Sequence, residues 1–363
     1  MECCTSWDTI MRSTGERWTG FRPGSRGESS GEKSPWDAFS PASGSGAGQA
    51  ADARRPGESD ERGFPRAADP SPASGASRIS IRIRGPLLNR LVGSKISIVS
   101  PVSQTTRLII RAVARTPEAE VIYLDTPGIH RPLFQMNREM VRLAREALHE
   151  VDLAVLLIEG PEGLGPGDTY TTRLLAEARP PAFLVINKID AMRKADLLPL
   201  MKEASRLHPW EEIFPCSALT GDGCEELAAA IRKRLPVGGA LFPEDFLTDL
   251  PTRLSLGEQI REQVLLRTRE EIPHATAVLV DEIERNERGD YRVAATLFVD
   301  RESQKGILIG HQGEMLKAIG QAARLEMASY LEAPVHLSLW VKVKRRWRDD
   351  PTVLRLLGIA MRE

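Results

Sequence analysis

Ala182-Phe183-Leu184-Val185-Ile186-Asn187-Lys188-Ile189-Asp190 is the stretch on which the fold reading turns. An apolar run without alternation reads as a strand buried on both faces, as in a parallel sheet covered by helices. A polar Asn-Lys-x-Asp follows at once, where such a strand would present side chains to a ligand. Asp190 can accept from both the ring N1–H and the exocyclic amine of guanine, a donor pair that adenine does not match. Asn187 can bond the other edge of the base, with the Lys188 stem over its plane. Taken alone, the tetrapeptide reads more readily as a chance sequence on a solvated loop.

Two further motifs lie to either side. Val121-Ile-Tyr-Leu124 is apolar and leads into Asp125-Thr126-Pro127-Gly128. In phosphate-binding folds an Asp here reaches Mg²⁺ through water, and the Gly N–H approaches the terminal phosphate. A third apolar stretch leads into Pro215-Cys216-Ser217-Ala218, where the backbone of Ser217 and Ala218 can bond the guanine oxygen. With Leu153-Ala-Val-Leu-Leu-Ile158 as another apolar strand and helical patterns over 136–149 and 224–235, strands alternate with helices. That order predicts an α/β domain over 78–235: a parallel-rich sheet with helices on both faces.

Farther along, the aperiodic Pro- and Gly-containing stretch 236–253 reads as a linker. Beyond it the order changes. An amphipathic helix from 254 stops before Pro273, and strands over 275–283 and 291–299 follow, with Arg288-Gly289-Asp290 in the turn. A short helix over 303–309 precedes Gly310-His311-Gln312-Gly313. Then come a long helix to about 331, a strand over 335–344 and a last short helix after Pro351. The segment 254–363 is therefore a small α+β domain.

Toward the N-terminus, 1–77 is rich in Gly, Ser, Pro, Ala and Arg and has no period of 2 or 3.6. It is expected to be disordered, because too little apolar surface offsets the ordering entropy. Across all 363 residues, 41% are hydrophobic and 27% charged, with a net charge of −1. No global basic field draws a polyanion, so any nucleic-acid site must come from local clustering. The cysteines Cys3, Cys4, Cys216 and Cys224 form no CxxC pair, which argues against a disulfide framework or zinc site and fits a reducing cytoplasm. No apolar run spans a bilayer and no secretory signal is present; acylation of Cys3 or Cys4 has nothing else to support it.

The segment Gly93-Ser-Lys-Ile-Ser-Ile-Val-Ser-Pro-Val-Ser-Gln-Thr-Thr-Arg107, followed by Asp125-Thr-Pro-Gly-Ile-His130, resembles the first helix end and switch region of the Era GTPases. The likeness runs from about residue 87 to the C-terminus. It implies a G domain followed by a type II KH domain, with GTP and Mg²⁺ as ligands. Thr106, or alternatively Thr105, would contact Mg²⁺ and the γ-phosphate, with Asp125 reaching the metal through water. Ile129 stands where many GTPases carry a water-orienting Gln, an apolar residue that fits slow hydrolysis. In the KH domain, Gly310-His311-Gln312-Gly313 would let an RNA backbone approach closely. Lys317, Lys342, Lys344, Arg345, Arg346 and Arg348, interleaved with Trp340 and Trp347, would add a basic and aromatic surface. The resemblance further implies small-subunit ribosomal RNA and the 30S subunit as partners, a cytoplasmic monomer that does not bind DNA, and weak peripheral membrane association.

One part of the family pattern is missing. A P-loop reads GxxxxGK[ST]: backbone N–H groups wrap the phosphates, the Lys reaches the β and γ oxygens, and the hydroxyl binds Mg²⁺. Counting back from Leu87-Leu88-Asn89-Arg90-Leu91, the Lys-Ser-Thr positions hold Arg84, Gly85 and Pro86, and the loop glycines fall on Arg78 and Ile83. The first strand is also atypical. Arg78-Ile-Ser-Ile-Arg-Ile-Arg84 alternates strictly, which argues against a place in mid-sheet, where unpaired Arg would cost on the order of several kcal/mol. Two accounts compete: a nucleotide-dead relative, or a wrong reading frame or start before about Pro86. The abrupt join favours the second.

Overall fold

The computed structural model describes residues 76–77, 80–83, 85–102, 105–117, 119–128 and 134–359, without the side chains of 76–83 and 237. The tail before 76, Gln104, Ile129 and His130 lie outside it.

The first unit is built on a six-stranded sheet. Its strands are β2 (Ser80–Ile83), β3 (Ile110–Thr116), β4 (Ala119–Asp125), β5 (Leu153–Glu159), β6 (Ala182–Asn187) and β7 (Glu212–Pro215), in the spatial order β3-β4-β2-β5-β6-β7. Only β3 runs antiparallel to its neighbour. The apolar strands serve two cores because alternate side chains leave opposite faces. Leu153, Val155 and Leu157 of β5 join α1 (Gly85–Val92) and α5 (Cys224–Lys233) on one side. Ala154, Leu156 and Ile158 join α2 (Gln135–Glu150), α3 (Pro166–Ala178) and α4 (Lys194–Ala204) on the other. Leu87 and Leu88 of α1 are fully buried, each contributing about 1.5–3 kcal/mol. The fold is that of a P-loop GTPase.

Two sequence expectations are corrected here. Of the alternating segment before Pro86, Ser80–Ile83 does occupy mid-sheet. The backbone of β2 pairs in parallel with β4 on one side, Ser80 opposite Ile122, and with β5 on the other, Ile81 opposite Leu153. Main-chain bonding fills the slot, since facing strands left unpaired there would orphan rows of N–H and C=O groups. The stretch 236–253 is also more than a connector, because it lines the outer edge of β3. Val113 N–H donates to Leu247 O at 2.9 Å, and the Arg115 guanidinium donates to the carbonyls of Phe242, Glu244 and Phe246. An uncovered edge strand would present unpaired backbone to any passing strand. Within it, β8 (Val237–Gly238) pairs with β1 (Ala76–Ser77).

The second unit runs α6 (Thr252–Arg267), α7 (Ile272–Ala275), β9 (Ala277–Arg285), β10 (Tyr291–Val299), α8 (Glu302–Ile309), α9 (Glu314–Tyr330), β11 (Val335–Val343) and α10 (Pro351–Leu356). The short α7 contains Pro273, which the sequence suggested as a terminator; Pro is tolerated in a first turn. The sheet order is β11-β10-β9, with β10 parallel to β11 and antiparallel to β9. Leu256, Ile260, Leu308, Ile319 and Met327 from α6, α8 and α9 cover one face. A further core joins the units: Leu108, Ile110, Met136 and Met140 pack with Trp347, Leu354 and Ile359.

Candidate nucleotide and nucleic-acid sites

The guanine motifs converge at the carboxyl ends of β5, β6 and β7. Lys188, with φ of 62°, turns the chain out of β6, and a single 3₁₀ turn leaves Asp190 exposed. Cys216 N–H donates to Ile186 O at 2.8 Å and Ile189 N–H to Cys216 O at 3.3 Å, so the two loops are stitched together. Ser217 Oγ donates to Asp190 Oδ1 at 2.5 Å, holding the carboxylate that would meet guanine. Lys188 pairs with Glu159 at 2.6 Å. The backbone groups expected to meet the guanine oxygen point inward instead. Ser217 N–H donates to Asp222 O, and Ala218 N–H to the Asn187 amide oxygen at 2.9 Å, which fixes Asn187 as a loop brace. Arg90 of α1 donates to the carbonyls of Ala218 and Leu219, an anchor that no sequence motif announced.

The expected metal residues also meet. Asp125 is fully buried, and its Oδ2 accepts from Thr106 Oγ1 at 3.2 Å and from Ser97 Oγ at 2.6 Å. Thr105 is bonded elsewhere, to Ser100 and Val102 O, which separates the two threonine candidates. Thr126 and Pro127 are buried beside Asp125, and Gly128 is half-buried with open space at its Cα. Ser97 was not singled out from sequence. A Cβ at Gly85, the position of the P-loop hydroxyl, would lie 2.9 Å from Ser97 Oγ, so the serine occupies the room that the glycine leaves.

A carboxylate with two hydroxyls suits a hard cation such as Mg²⁺. The family's phosphate cradle is not formed among the described residues. β2 ends at Ile83 and α1 begins at Gly85, so one residue joins strand to helix. Among the described residues no loop there offers backbone N–H groups to wrap phosphates.

In the second unit, Gly310 (φ 76°), Gln312 (φ 50°) and Gly313 (φ 81°) form the turn between α8 and α9. A Cβ on Gly310 would stand 2.7 Å from that of Met315, so only glycine permits the helices to approach this closely. His311 and Gln312 are exposed at its tip, and Lys317 is exposed one turn into α9. Part of the expected basic and aromatic surface is corrected. Trp347 is fully buried, its indole N–H donating to Ala275 O at 2.8 Å; it is a core residue and not a stacking platform. Arg348 pairs with Asp300 at 2.6 Å and stacks over Phe134. Lys344 pairs with Asp350 at 2.8 Å, and Arg346 with Asp349 at 3.5 Å. Arg345, Lys342 and Trp340 are exposed. Spacing in sequence could not show which side chains the last turn folds inward.

Between the units, Arg107 donates to Thr276 O, Pro273 O and His274 O, at 2.7, 3.1 and 3.2 Å. Burial, then the nearby Arg261 guanidinium, pulls its acidity constant down to about 9. Arg261 of α6 in turn donates to Thr105 O and pairs with Glu258. Lys95 pairs with Glu262 at 2.6 Å and Glu326 at 2.9 Å, while Glu262 also accepts from Val99 N–H. Burial, with Glu326 nearby, lifts the Glu262 carboxyl to about 7 against the opposing pull of Lys95.

These features define a class: a guanine-nucleotide-binding fold docked on an RNA-binding KH domain. The family description "50S ribosome-binding GTPase" matches residues 86–188, and "KH domain" matches 271–348. The chain is 43% identical over 271 residues to GTPase Era of Lacticaseibacillus paracasei, covering 75% of this chain and 90% of that protein. It is 45% identical over 273 residues to GTPase Era of Geobacter metallireducens, covering 75% and 92%. It resembles the crystal structure of Era in complex with MgGDPNP and nucleotides 1506–1542 of 16S ribosomal RNA, with a TM-score of 0.75 and 39% identity over 80% of this chain and all of that one. For a point variant of Aquifex aeolicus Era bound to GDP·AlF4⁻ the TM-score is 0.74 and the identity 40%, over 79% of this chain and all of that one. The chain belongs to the Era family of GTPases.

Proposed function

We propose that this chain is a factor of small ribosomal subunit (30S) assembly and rRNA maturation that grips single-stranded RNA near the 3′ end of small-subunit rRNA. The observation that carries the reading is the Gly310–Gly313 turn, clamped between α8 and α9 with His311 and Gln312 exposed. The solved relative that holds nucleotides 1506–1542 of 16S ribosomal RNA supports the same RNA class. Guanine-nucleotide occupancy with Mg²⁺ would control the grip, because the 105–107 segment beside Asp125 is also the segment that Arg107 and Arg261 tie to the KH domain. When bound, Mg²⁺ would supply positive charge at Asp125, Thr106 and Ser97. The factor acts as a cytoplasmic monomer, with weak peripheral attachment at the inner membrane face as a property carried over from the family.

The one-residue join between β2 and α1 favours a second reading, a nucleotide-independent RNA-binding protein with a degenerate G domain. Fluorescence anisotropy with a labelled 3′-end rRNA fragment, with and without Mg·GTP, tests both. Preference for this fragment over an unrelated single strand is expected. GTP-dependent affinity selects the first reading and GTP-independent affinity the second; equal affinity for both RNAs rejects the proposal.

A further inference from the structure

The loop that carries Ser217 and Ala218 is closed by two cysteines. Cys216 follows β7 and Cys224 opens α5, and both side chains are buried. Both belong to one buried apolar cluster. The intervening chain folds back on itself: Gly221 N–H donates to Ser217 O at 2.8 Å and Cys224 N–H to Gly221 O at 3.1 Å. Gly223, with φ of 72°, makes the return tight, since a Cβ there would lie 2.1 Å from Pro215 O. Each sulfur also sits near a carbonyl, Cys216 Sγ 3.2 Å from Gly223 O and Cys224 Sγ 3.5 Å from Ser217 O.

The two sulfurs are not equivalent. The neighbouring Cys216, together with the Arg90 guanidinium, holds the Cys224 thiol below its ordinary value despite burial. The neighbouring Cys224, with burial, pushes Cys216 up. A thiolate-prone cysteine beside a protonated one is the arrangement that oxidises selectively, the first as attacking sulfur and the second as resolving sulfur. Leu219, Thr220 and Asp222, in the loop between the two cysteines, are exposed, and local opening of that loop would admit a small oxidant.

We propose that Cys216 and Cys224 are a modification site, a dithiol that a hydroperoxide converts to a reversible disulfide across the guanine-recognition loop. The Cys224 thiolate attacks one peroxide oxygen, the O–O bond breaks, and the departing oxygen takes a proton. Cys224 is left as a sulfenic acid. Cys216 sulfur then attacks Cys224 sulfur, its proton leaves with the hydroxyl as water, and the S–S bond forms. The two thiols lose two electrons, which reduce one hydroperoxide to an alcohol and water, or to two waters for hydrogen peroxide. The bond ties the residue before Ser217 directly to α5 and displaces both sulfurs from their carbonyl contacts.

The test uses the full chain with Cys3→Ser and Cys4→Ser, so that Cys216 and Cys224 are the only thiols. It is treated under native conditions with hydrogen peroxide at a few equivalents, alkylated without reduction and mapped by mass spectrometry. The expected product is a peptide linked through Cys216 and Cys224, about 2 Da lighter than the dithiol, and reverted by dithiothreitol. With Cys216→Ser added, Cys224 should stop at a dimedone-reactive sulfenic acid. If that variant does not fold, the linked peptide in the parent still decides. The proposal is overturned if both thiols remain alkylatable in folded protein, if Cys224 runs to sulfinic acid with Cys216 still reduced, or if only intermolecular disulfides form.

Discussion

The Arg107 guanidinium donates to the carbonyl of Thr276 at 2.7 Å across the boundary between the two domains. Its neighbour Thr106 touches Asp125, so the Asp125 corner and the contact to the KH domain lie on consecutive residues. Arg107→Lys should break this contact, because one ammonium cannot reproduce the fork that serves three carbonyls. Removing charged hydrogen bonds from buried acceptors should cost at least about 3 kcal/mol. A melt lowered by several degrees and faster proteolysis within 236–251 are expected; an unchanged melt and cleavage rate would show the contact to be idle.

The two loop glycines should behave differently. Gly310→Ala meets Met315 and strains φ, whereas Gly313→Ala has open space and pays only for its φ, about 1–2 kcal/mol. Circular dichroism melts should rank Gly310→Ala well below Gly313→Ala. Equal melts would mean that the turn relaxes freely.

Replacing His311 and Gln312 together by Asp keeps both glycines while facing the RNA with two negative charges. Each repulsion is about 3 kcal/mol at about 6 Å and an effective dielectric of about 20, and about 1 kcal/mol or less after screening. Affinity for the 3′-end fragment should fall about tenfold with little change in melting. Parental affinity at low salt would move the RNA surface elsewhere.

The two tryptophans should separate stability from binding. Trp347→Ala empties a fully buried site and should cost about 3–5 kcal/mol. Trp340, 49% exposed, should contribute nothing comparable to stability, and Trp340→Ala should weaken RNA by about 1–3 kcal/mol if a base stacks there. An RNA affinity unaffected by Trp340→Ala would remove that residue from the site.

Glu262 sets a pH dependence. Its folded-state constant of about 7 exceeds the ordinary carboxyl value of 4.5, so the folded protein holds the extra proton between the two. Its contribution is complete below 4.5 and is lost as pH rises through 7, on the order of 1–3 kcal/mol after allowance for Lys95 and Glu326. Glu262→Gln should flatten denaturant-measured stability across that window. A slope identical to that of the parent would assign the titration to another group.

Calorimetry with Mg·GTP addresses the phosphate end. Without a cradle the affinity should be at least about a hundredfold below that of a family member with its loop, since more than about 3 kcal/mol of charged contacts is missing. A micromolar or tighter dissociation constant would contradict the one-residue join.

The sequence by itself determined the layered α/β fold, the order of the guanine motifs and the α+β domain with its Gly310–Gly313 turn. Each depends on local periodicity or on a motif whose residue types fix its chemistry, as with Asp125 and Asp190. It also exposed the missing cradle, because Gly85 cannot bring a hydroxyl. Tertiary structure alone decided which groups are turned inward. Trp347 and Arg348 look like RNA-binding residues in one dimension, yet Ala275 and Asp300, far away along the chain, draw them into the domain boundary. Ser97 meets Asp125 and Arg107 meets Thr276 only after the chain folds back, because these contacts join positions that no local pattern links. The alternating β2 likewise took its place in mid-sheet from the unpaired backbone of β4 and β5, which no side-chain pattern reports.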